Sequence, residues 1–438
     1  MQKKLETVAV ISLGCSKNLV DSEYLLGKLR ASGFSIVTEP HEANIIIVNT
    51  CGFIESAKSE SIETVIEMAR YKDEGVCGLL IMTGCLSQRY PNELRDELFE
   101  VDMFFGVNQY DELIHELSRL AQKHPVCEDG RMLSTPPFMA YLRIADGCDN
   151  RCTYCAIPLI RGGRRSVPMD QLILEAENLA KGGVKELIVI AQDTTAYGQD
   201  IYGKSMICEL LNKLTSISGI EWVRLLYTYP NTVTKELIDT IAANEKIVNY
   251  IDMPIQHISQ RLLTKMNRHG TSDHIKSIVS YMRKVMPDFV LRSTAIVGFP
   301  TETEAEFQEL LEFFRENTFE RLGAFAYSRE EDTPAYDFEG QIPDDIKEDR
   351  LKRLYEQQRL ISLDFNKSRI GKIERVLVES VRDGFAYCRS YAESPDIDGY
   401  IIVPLGFEDV FAGDFINIRL IRAEEYDMIG EICCEPTE

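Results

Sequence analysis

Six cysteines stand where their thiols can do chemistry. Cys148, Cys152 and Cys155 form a C-x3-C-x2-C triplet inside Asp146-Gly147-Cys148-Asp149-Asn150-Arg151-Cys152-Thr153-Tyr154-Cys155. Spacings of four and three on a loop let three thiolates wrap one cuboidal iron–sulfur cluster, leaving its fourth iron open to an exogenous ligand. Free thiols gathered on a surface without such a role would be reactive in a cell. The other three are Cys15, Cys51 and Cys85, which end VISLGC, IIIVNTC and LLIMTGC. Each closes a β-rich run just before a helical pattern. In an open parallel sheet the strand C-termini share one crevice, so thiols 36 and 34 residues apart can converge. Gly14, Gly52 and Gly84 flank them and permit a tight backbone. A single cysteine so placed reads as a small buried hydrophobe. Three in register favour a ligand set, and three thiols rather than four favour an iron–sulfur cluster over structural zinc.

The remaining cysteines carry no such signal. Cys77 and Cys127 lack the strand-end position, and Cys208, Cys388, Cys433 and Cys434 lack cluster context. Downstream of the triplet, Ile160-Arg161-Gly162-Gly163-Arg164-Arg165-Ser166 concentrates positive charge in an acidic chain. An arginine there suits a carboxylate, or pairs with local acids in a solvated loop. Gln192, Asp193 and Tyr197 follow the β-rich run Glu186–Ala191, and Gln256-His257 and Arg292-Ser293-Thr294 occupy similar strand ends. A lone histidine there is as often structural as functional.

These residues need elements to position them. The first 122 residues alternate short apolar runs (Val8–Leu13, Asn44–Asn49, Leu79–Thr83, Asp102–Phe105) with helical patterns (Asn18–Ala31, Glu55–Tyr71, Asn108–Gln122), which predicts a doubly wound parallel sheet. Residues 123–137, with His124-Pro125 and Ser134-Thr135-Pro136-Pro137, read as a linker. From 138 to 368 a second β/α series places strands at Ala140–Asp146, Glu186–Ala191, Trp222–Tyr227, Tyr250–Met253, Phe289–Ile296 and Arg321–Ala326. Six units in this span suit a partial (β/α)6 TIM-like barrel, with its chemistry at the strand C-terminal face. A charged helix, Asp344–Ser368, leads to 369–438, where five short strands with turn signals predict a small antiparallel β-barrel. The fold class is α/β with that appended barrel.

Bulk properties exclude some functions. No stretch of the 438 residues approaches a membrane span, and the opening MQKKLETVAVISLGC lacks a secretory cleavage site, so a cytoplasmic location is expected. A net charge of −22 argues against a nucleic-acid partner. Twelve cysteines in a reducing compartment favour metal ligation over disulfides.

The triplet and the barrel behind it resemble the radical S-adenosylmethionine (radical SAM) enzymes. The resemblance implies that Cys148, Cys152 and Cys155 hold a 4Fe–4S cluster whose open iron chelates S-adenosylmethionine. It also implies cofactor contacts at Tyr154, Arg165, Gln192, Asp193 and Tyr197. Gly298-Phe299-Pro300-Thr301-Glu302-Thr303 is similar to the G-F-P-G-E-T segment of such barrels, with Thr301 in place of glycine. All three regions in order resemble a radical SAM methylthiotransferase. In that family an N-terminal triad, here Cys15, Cys51 and Cys85, holds an auxiliary 4Fe–4S cluster, and the C-terminal barrel is a TRAM domain that binds substrate.

Two branches of the family modify tRNA adenosine (MiaB-like) or an aspartate of ribosomal protein uS12 (the RimO branch). Gly14-Cys15-Ser16-Lys17-Asn18-Leu19-Val20-Asp21-Ser22-Glu23 resembles the RimO branch. The last 68 residues, with 15 acidic and 6 basic side chains, would repel RNA and attract a basic ribosomal protein. The resemblance therefore implies methylthiolation of the aspartate β-carbon in uS12, free or on the small ribosomal subunit. It further implies two S-adenosylmethionines and a reduced electron donor such as flavodoxin or ferredoxin, with the sulfur donor open and no membrane partner. A carbon radical demands a site that excludes water and fixes the substrate carbon.

Overall fold

The computed structural model describes residues 5–127, 130–406 and 408–433. They form two compact units, one of residues 1–135, 146–164 and 328–336, the other of 136–145, 165–327 and 337–438.

The first unit is built on β1 (Thr7–Ser12), β2 (Ser35–Ile36), β3 (Ile45–Thr50), β4 (Leu79–Gly84) and β5 (Met103–Phe104), in the order β2-β1-β3-β4-β5 with every pairing parallel. Its helices are α1 (Ser16–Ala31), α2 (Glu55–Asp73), α3 (Cys85–Arg89), α4 (Glu93–Glu97) and α5 (Tyr110–Ala121). The apolar run of β3 serves both faces, because successive side chains on a strand point oppositely. Ile45 and Ile47 pack with Leu25 and Leu29 of α1 and Leu113, Ile114 and Leu117 of α5. Ile46 and Val48 pack with Val65 and Met68 of α2 and with Leu86 and Leu94. Burying each such side chain contributes roughly 1.5–3 kcal/mol. The segment with α6 (Ile157–Arg161), carrying the cysteine triplet, groups with this unit. The end of 123–137 is tied to α1, since Glu23 accepts from Arg131 (Nε 2.9 Å), Ser134 N (2.8 Å) and Thr135 N (3.3 Å).

The second unit contains six parallel strands. They are β6 (Met139–Arg143), β9 (Glu186–Ile190), β10 (Trp222–Leu225), β11 (Ile247–Asp252), β12 (Val290–Val297) and β13 (Arg321–Ala326), adjacent in that order and open at both edges. Two-residue strands β7 (Ala145–Asp146) and β8 (Arg165–Ser166) precede the barrel helices α7 (Met169–Lys181), α8 (Gln199–Tyr202), α9 (Ile207–Thr215), α10 (Lys235–Ala242), α11 (Gln260–Lys265), α12 (Ser272–Val285) and α13 (Glu304–Asn317). After α14 (Asp344–Ser368) come β14 (Ile373–Arg382), β15 (Phe385–Arg389), β16 (Ile401–Pro404), β17 (Phe415–Ala423) and β18 (Met428–Ile432), closed as β14-β15-β16-β18-β17. The expectation of an antiparallel barrel needs one correction: β16 and β18 pair in parallel. Strand direction cannot alternate all the way round a ring of five, so one seam must be parallel. Cys433 lies just past β18, and Cys434 lies outside the described residues.

The loop joining β15 to β16 fastens this small barrel to the partial one. Arg224 of β10 donates to Tyr391 O (2.8 Å) and Ser390 O (3.2 Å), and Tyr250 of β11 donates to Asp398 (2.8 Å). Arg321 of β13 pairs with Glu393 (3.0 Å), which also holds Arg369 (2.5 Å).

Candidate functional site

β1, β3 and β4 are neighbours in register, with Ser12 opposite Asn49 and Thr50 opposite Gly84. Their C-terminal ends therefore present Cys15, Cys51 and Cys85 together. Cys15 caps α1 in extended geometry (φ −96°, ψ 168°), and Cys85 opens α3. A Cβ on Gly14 would lie 2.8 Å from Cys51 Cβ and 2.9 Å from its Sγ, so the backbone just before Cys15 packs directly on the Cys51 side chain. Gly84 sits at φ +96°, and a Cβ there would run into Asn49 Oδ1 and approach Thr50 O to 2.6 Å. Cys15 is exposed, Cys51 half-buried and Cys85 buried, so the triad grades from open mouth to closed floor.

The ends are cross-tied by residues that sequence reasoning did not single out as functional. Asn18 Nδ2 donates to Leu13 O (2.7 Å), Asn49 O (3.1 Å) and Thr50 O (3.3 Å), carbonyls that run into Cys15 and Cys51. Asn49 returns two bonds to α1, to Asn18 O (2.9 Å) and Ser22 Oγ (2.8 Å). Ser61 Oγ brackets Cys51, accepting from its N and donating to its O at 3.0 Å each. Asn18, Asp21, Ser22 and Glu23 all follow Cys15 on one helix and all are buried, which polar residue types alone do not signal.

Cys148, Cys152 and Cys155 lie in the same compact unit. Their loop is pinned by Cys148 N to Gly162 O (3.1 Å), Cys155 N to Cys152 O (3.1 Å) and Ala335 N to Thr153 O (2.9 Å). Cys152 is buried while Cys148, Tyr154 and Cys155 are half-buried. The following helix packs Ala156 and Ile160 against Cys85 and Val107. At its end Arg161, 2% exposed, donates to Asp21 (2.8 Å), Asp146 (3.1 Å) and Asn18 Oδ1 (3.4 Å), and its Nη2 stands 3.5 Å from Cys85 Sγ.

Burial pushes the Cys85 thiol up to about 12, although Arg161 pulls the other way, and burial likewise raises Cys51. Such thiols keep their protons until a bound cation replaces them. Among the described residues no three His, Cys, Asp or Glu side chains converge as the ligands of a single ion. A cuboidal cluster spreads its thiolates over separate irons, so three thiols on adjacent strand ends fit it better than they fit one ion. The all-sulfur donor set and the cross-tied backbone fit an iron–sulfur cluster.

The strand-end residues of the second unit are placed as follows. Arg165 is exposed and Gln192 half-buried. Asp193 is buried, and its Oδ1 accepts from Thr195 Oγ1 (2.6 Å) and Ala196 N (3.2 Å), shaping its own turn. Tyr197 is buried and donates to Val167 O (2.9 Å). His257 serves the framework. Its Nδ1 accepts from Ile258 N and Ser259 N (2.9 Å each), which puts the ring proton on Nε2, 3.1 Å from Glu302, itself held by Arg350 at 2.7 Å. Thr301 adopts φ +72°, the conformation a glycine would take freely, with Arg261 (3.0 Å) and Lys265 (2.9 Å) donating to its hydroxyl.

The chain matches three family models in order. They are the uncharacterized protein family UPF0004 over residues 7–106, the radical SAM superfamily over 142–314 and the TRAM domain over 370–433. A radical SAM methyltransferase, TsrM from Kitasatospora setae, shares the fold at TM-score 0.57 and 14% identity, covering 88% of this chain and 81% of its own. The three models in this order define the chain as a radical SAM enzyme with an N-terminal UPF0004 region and a C-terminal TRAM domain.

The similarity extends over the whole chain to curated relatives named ribosomal protein uS12 methylthiotransferase RimO. That of Acetivibrio thermocellus is 48% identical over 458 residues, covering 100% of both chains. That of Alkaliphilus oremlandii is 45% identical, covering 98% of this chain and 99% of its own. The chain belongs to the RimO family of radical SAM methylthiotransferases.

Proposed function

We propose that this protein adds a methylthio group to the β-carbon of an aspartate in ribosomal protein uS12, free or within the small ribosomal subunit. The relatives that match end to end carry that name, and they favour it over the tRNA-directed alternative. The observation that supports the chemistry is the presence of two three-thiol sets in one compact unit. Cys148, Cys152 and Cys155 hold the 4Fe–4S cluster that binds S-adenosylmethionine, and Cys15, Cys51 and Cys85 hold the auxiliary one. When bound, these groups supply the electron, the carbon-centred radical, the sulfur and the methyl group.

The chain's own residues supply placement and electrostatics. Asn18 and Ser61 fix the strand ends so that three thiols are offered without rearrangement. The ring of Tyr154 and the side chains of Arg165, Gln192, Asp193 and Tyr197 are assigned to the bound S-adenosylmethionine. No helix among the described residues is long and apolar enough to cross a membrane, which accords with work in the cytoplasm. The reductant is a low-potential carrier such as flavodoxin or ferredoxin.

Anaerobic reconstitution tests this reading directly. About eight irons per chain support two 4Fe–4S centres. Incubation with S-adenosylmethionine and dithionite should release 5′-deoxyadenosine, and Cys152→Ala should abolish it. Mass spectrometry should then find one methylthio group on uS12. A methylthio group on tRNA and none on the protein would overturn the substrate.

A further inference from the structure

Arg161 belongs to neither cysteine set, yet it touches the elements that carry both. It ends the helix that follows Cys155, and its guanidinium reaches the floor of the other triad, 3.5 Å from Cys85 Sγ. The contact is built rather than incidental. The side chain is 2% exposed, and Asp21 and Asp146 flank it at 2.8 and 3.1 Å. Asn18 Oδ1, 3.4 Å away, belongs to the amide that ties down the strand ends before Cys15 and Cys51. A buried arginine is retained only where its charge is matched and its fork of donors is used. Here one Nη2 serves Asp21, Asn18 and Cys85, so the same group that pairs the acid also faces the thiol.

We propose that Arg161 is a positioning residue that locks the triplet-bearing segment onto the N-terminal triad and raises the reduction potential of the cluster held there. The proposal rests on Cys15, Cys51 and Cys85 being the auxiliary ligands. Reduction adds negative charge to a cluster, and a nearby cation that donates toward a ligating sulfur stabilises that charge. Asp21 opposes it by drawing the same Nη2 away. The two residues therefore form a tuning pair whose members act in opposite directions.

The test uses the full chain with Cys148, Cys152 and Cys155 all replaced by alanine, so that only one cluster can form. Iron content and the electron paramagnetic resonance spectrum of the reduced protein come first. If about four irons are absent from this background, the ligand assignment itself fails. With the cluster present, its midpoint potential is measured by redox titration in the background, in D21N and in R161Q/D21N. The potential should rise in D21N, where the guanidinium is released toward the sulfur. It should fall below the background in R161Q/D21N, which keeps the net charge but removes the donor. A merely structural Arg161 would change cluster yield and leave the potential where it was. Equal potentials in all three, or a fall in D21N, would overturn the proposal. If R161Q/D21N holds no cluster, R161K/D21N is compared with D21N at equal net charge, and an unchanged potential would overturn the proposal.

Discussion

Replacing Glu393 with glutamine should loosen the seam between the partial barrel and the small C-terminal barrel. Glu393 is 1% exposed and accepts from Arg321 (3.0 Å), Arg369 (2.5 Å), Ser390 N (3.0 Å) and Ser390 Oγ (2.8 Å). Glutamine preserves the shape but removes the charge, leaving Arg369 with Glu374 (2.8 Å) and Arg321 with neutral partners such as Ser362 Oγ (3.1 Å). An uncompensated buried charge costs about 3–5 kcal/mol. At a urea slope of roughly 3 kcal/mol/M, the lower figure shifts the unfolding midpoint by about 1 M. The chain carries its own probe at this seam. Its single tryptophan, Trp222 of β10, packs edge-on against Phe415 of β17 with ring centroids 4.8 Å apart. Urea titration followed by Trp222 fluorescence should show the shift, while Glu356→Gln, on an exposed 4.0 Å pair with Lys352, should move it by no more than about 0.2 M.

The pH dependence follows with a definite sign. Burial opposes ionisation of Glu393, but Arg369 and Arg321 outweigh it and hold the carboxyl near about 2, below its ordinary 4.5. Its contribution is therefore fully present above about 4.5 and lost as pH falls toward about 2. The gap between wild type and Glu393→Gln should close over that range. A gap that stays constant from pH 7 to pH 3, or a midpoint shift under about 0.3 M at pH 7, would refute this account of the seam.

Other outcomes follow from the first unit and the barrel. Asn18→Ala strips partners from buried strand-end carbonyls at about 1–3 kcal/mol each, so about half of the roughly eight irons should be lost on reconstitution, read by iron assay. Gly84→Ala places a methyl on Asn49 and Thr50 at φ +96° and should lower the melting temperature of the N-terminal unit by several degrees, seen by calorimetry. Cys208→Ser, at a half-buried thiol remote from both sets in sequence, should leave iron content unchanged. Thr301→Gly relieves about 1 kcal/mol of left-handed strain but loses the bonds from Arg261 and Lys265, so denaturation should show a net change under about 1 kcal/mol.

The regular elements were legible because their periodicity is set by burial. Arg321–Ala326 and Asp344–Ser368 form with the bounds expected from pattern alone. The strand-end cysteines were legible for the same reason, since a buried parallel strand must end where its apolar run ends. Three-dimensional partners were not. The sequence around Lys17–Glu23 reads as a family signature, and nothing in it announces that Asn18 ties two strands, Asp21 holds Arg161 and Glu23 holds Arg131. Ser35–Ile36 escaped notice because a two-residue edge strand has no periodicity to read. Glu186 looked like the polar start of a strand, yet it is fully buried between Arg224 (2.9 Å) and Arg389 (2.7 Å).

Charge was legible as a sum but not as a map, and it bears on how substrate is met. The C-terminal region counts 15 acids against 6 bases, but the acids do not all face outward. Glu374 and Glu393 are buried on Arg369, Glu379 lies on Arg389, and Asp398 accepts from Tyr250. Among the described residues beyond Gly371, the exposed or half-buried side chains number eleven acids and five bases, and Arg375, Arg419 and Arg422 pair with Glu221, Glu431 and Glu424. The solvent-facing balance therefore stays acidic, and it steers a basic protein toward this region. Strong steering speeds association by tenfold or more and collapses in salt. Methylthiolation of uS12 by this enzyme should therefore lose about tenfold or more in kcat/KM between 50 and 200 mM salt. A flat response to salt would mean that these acids do not set the encounter.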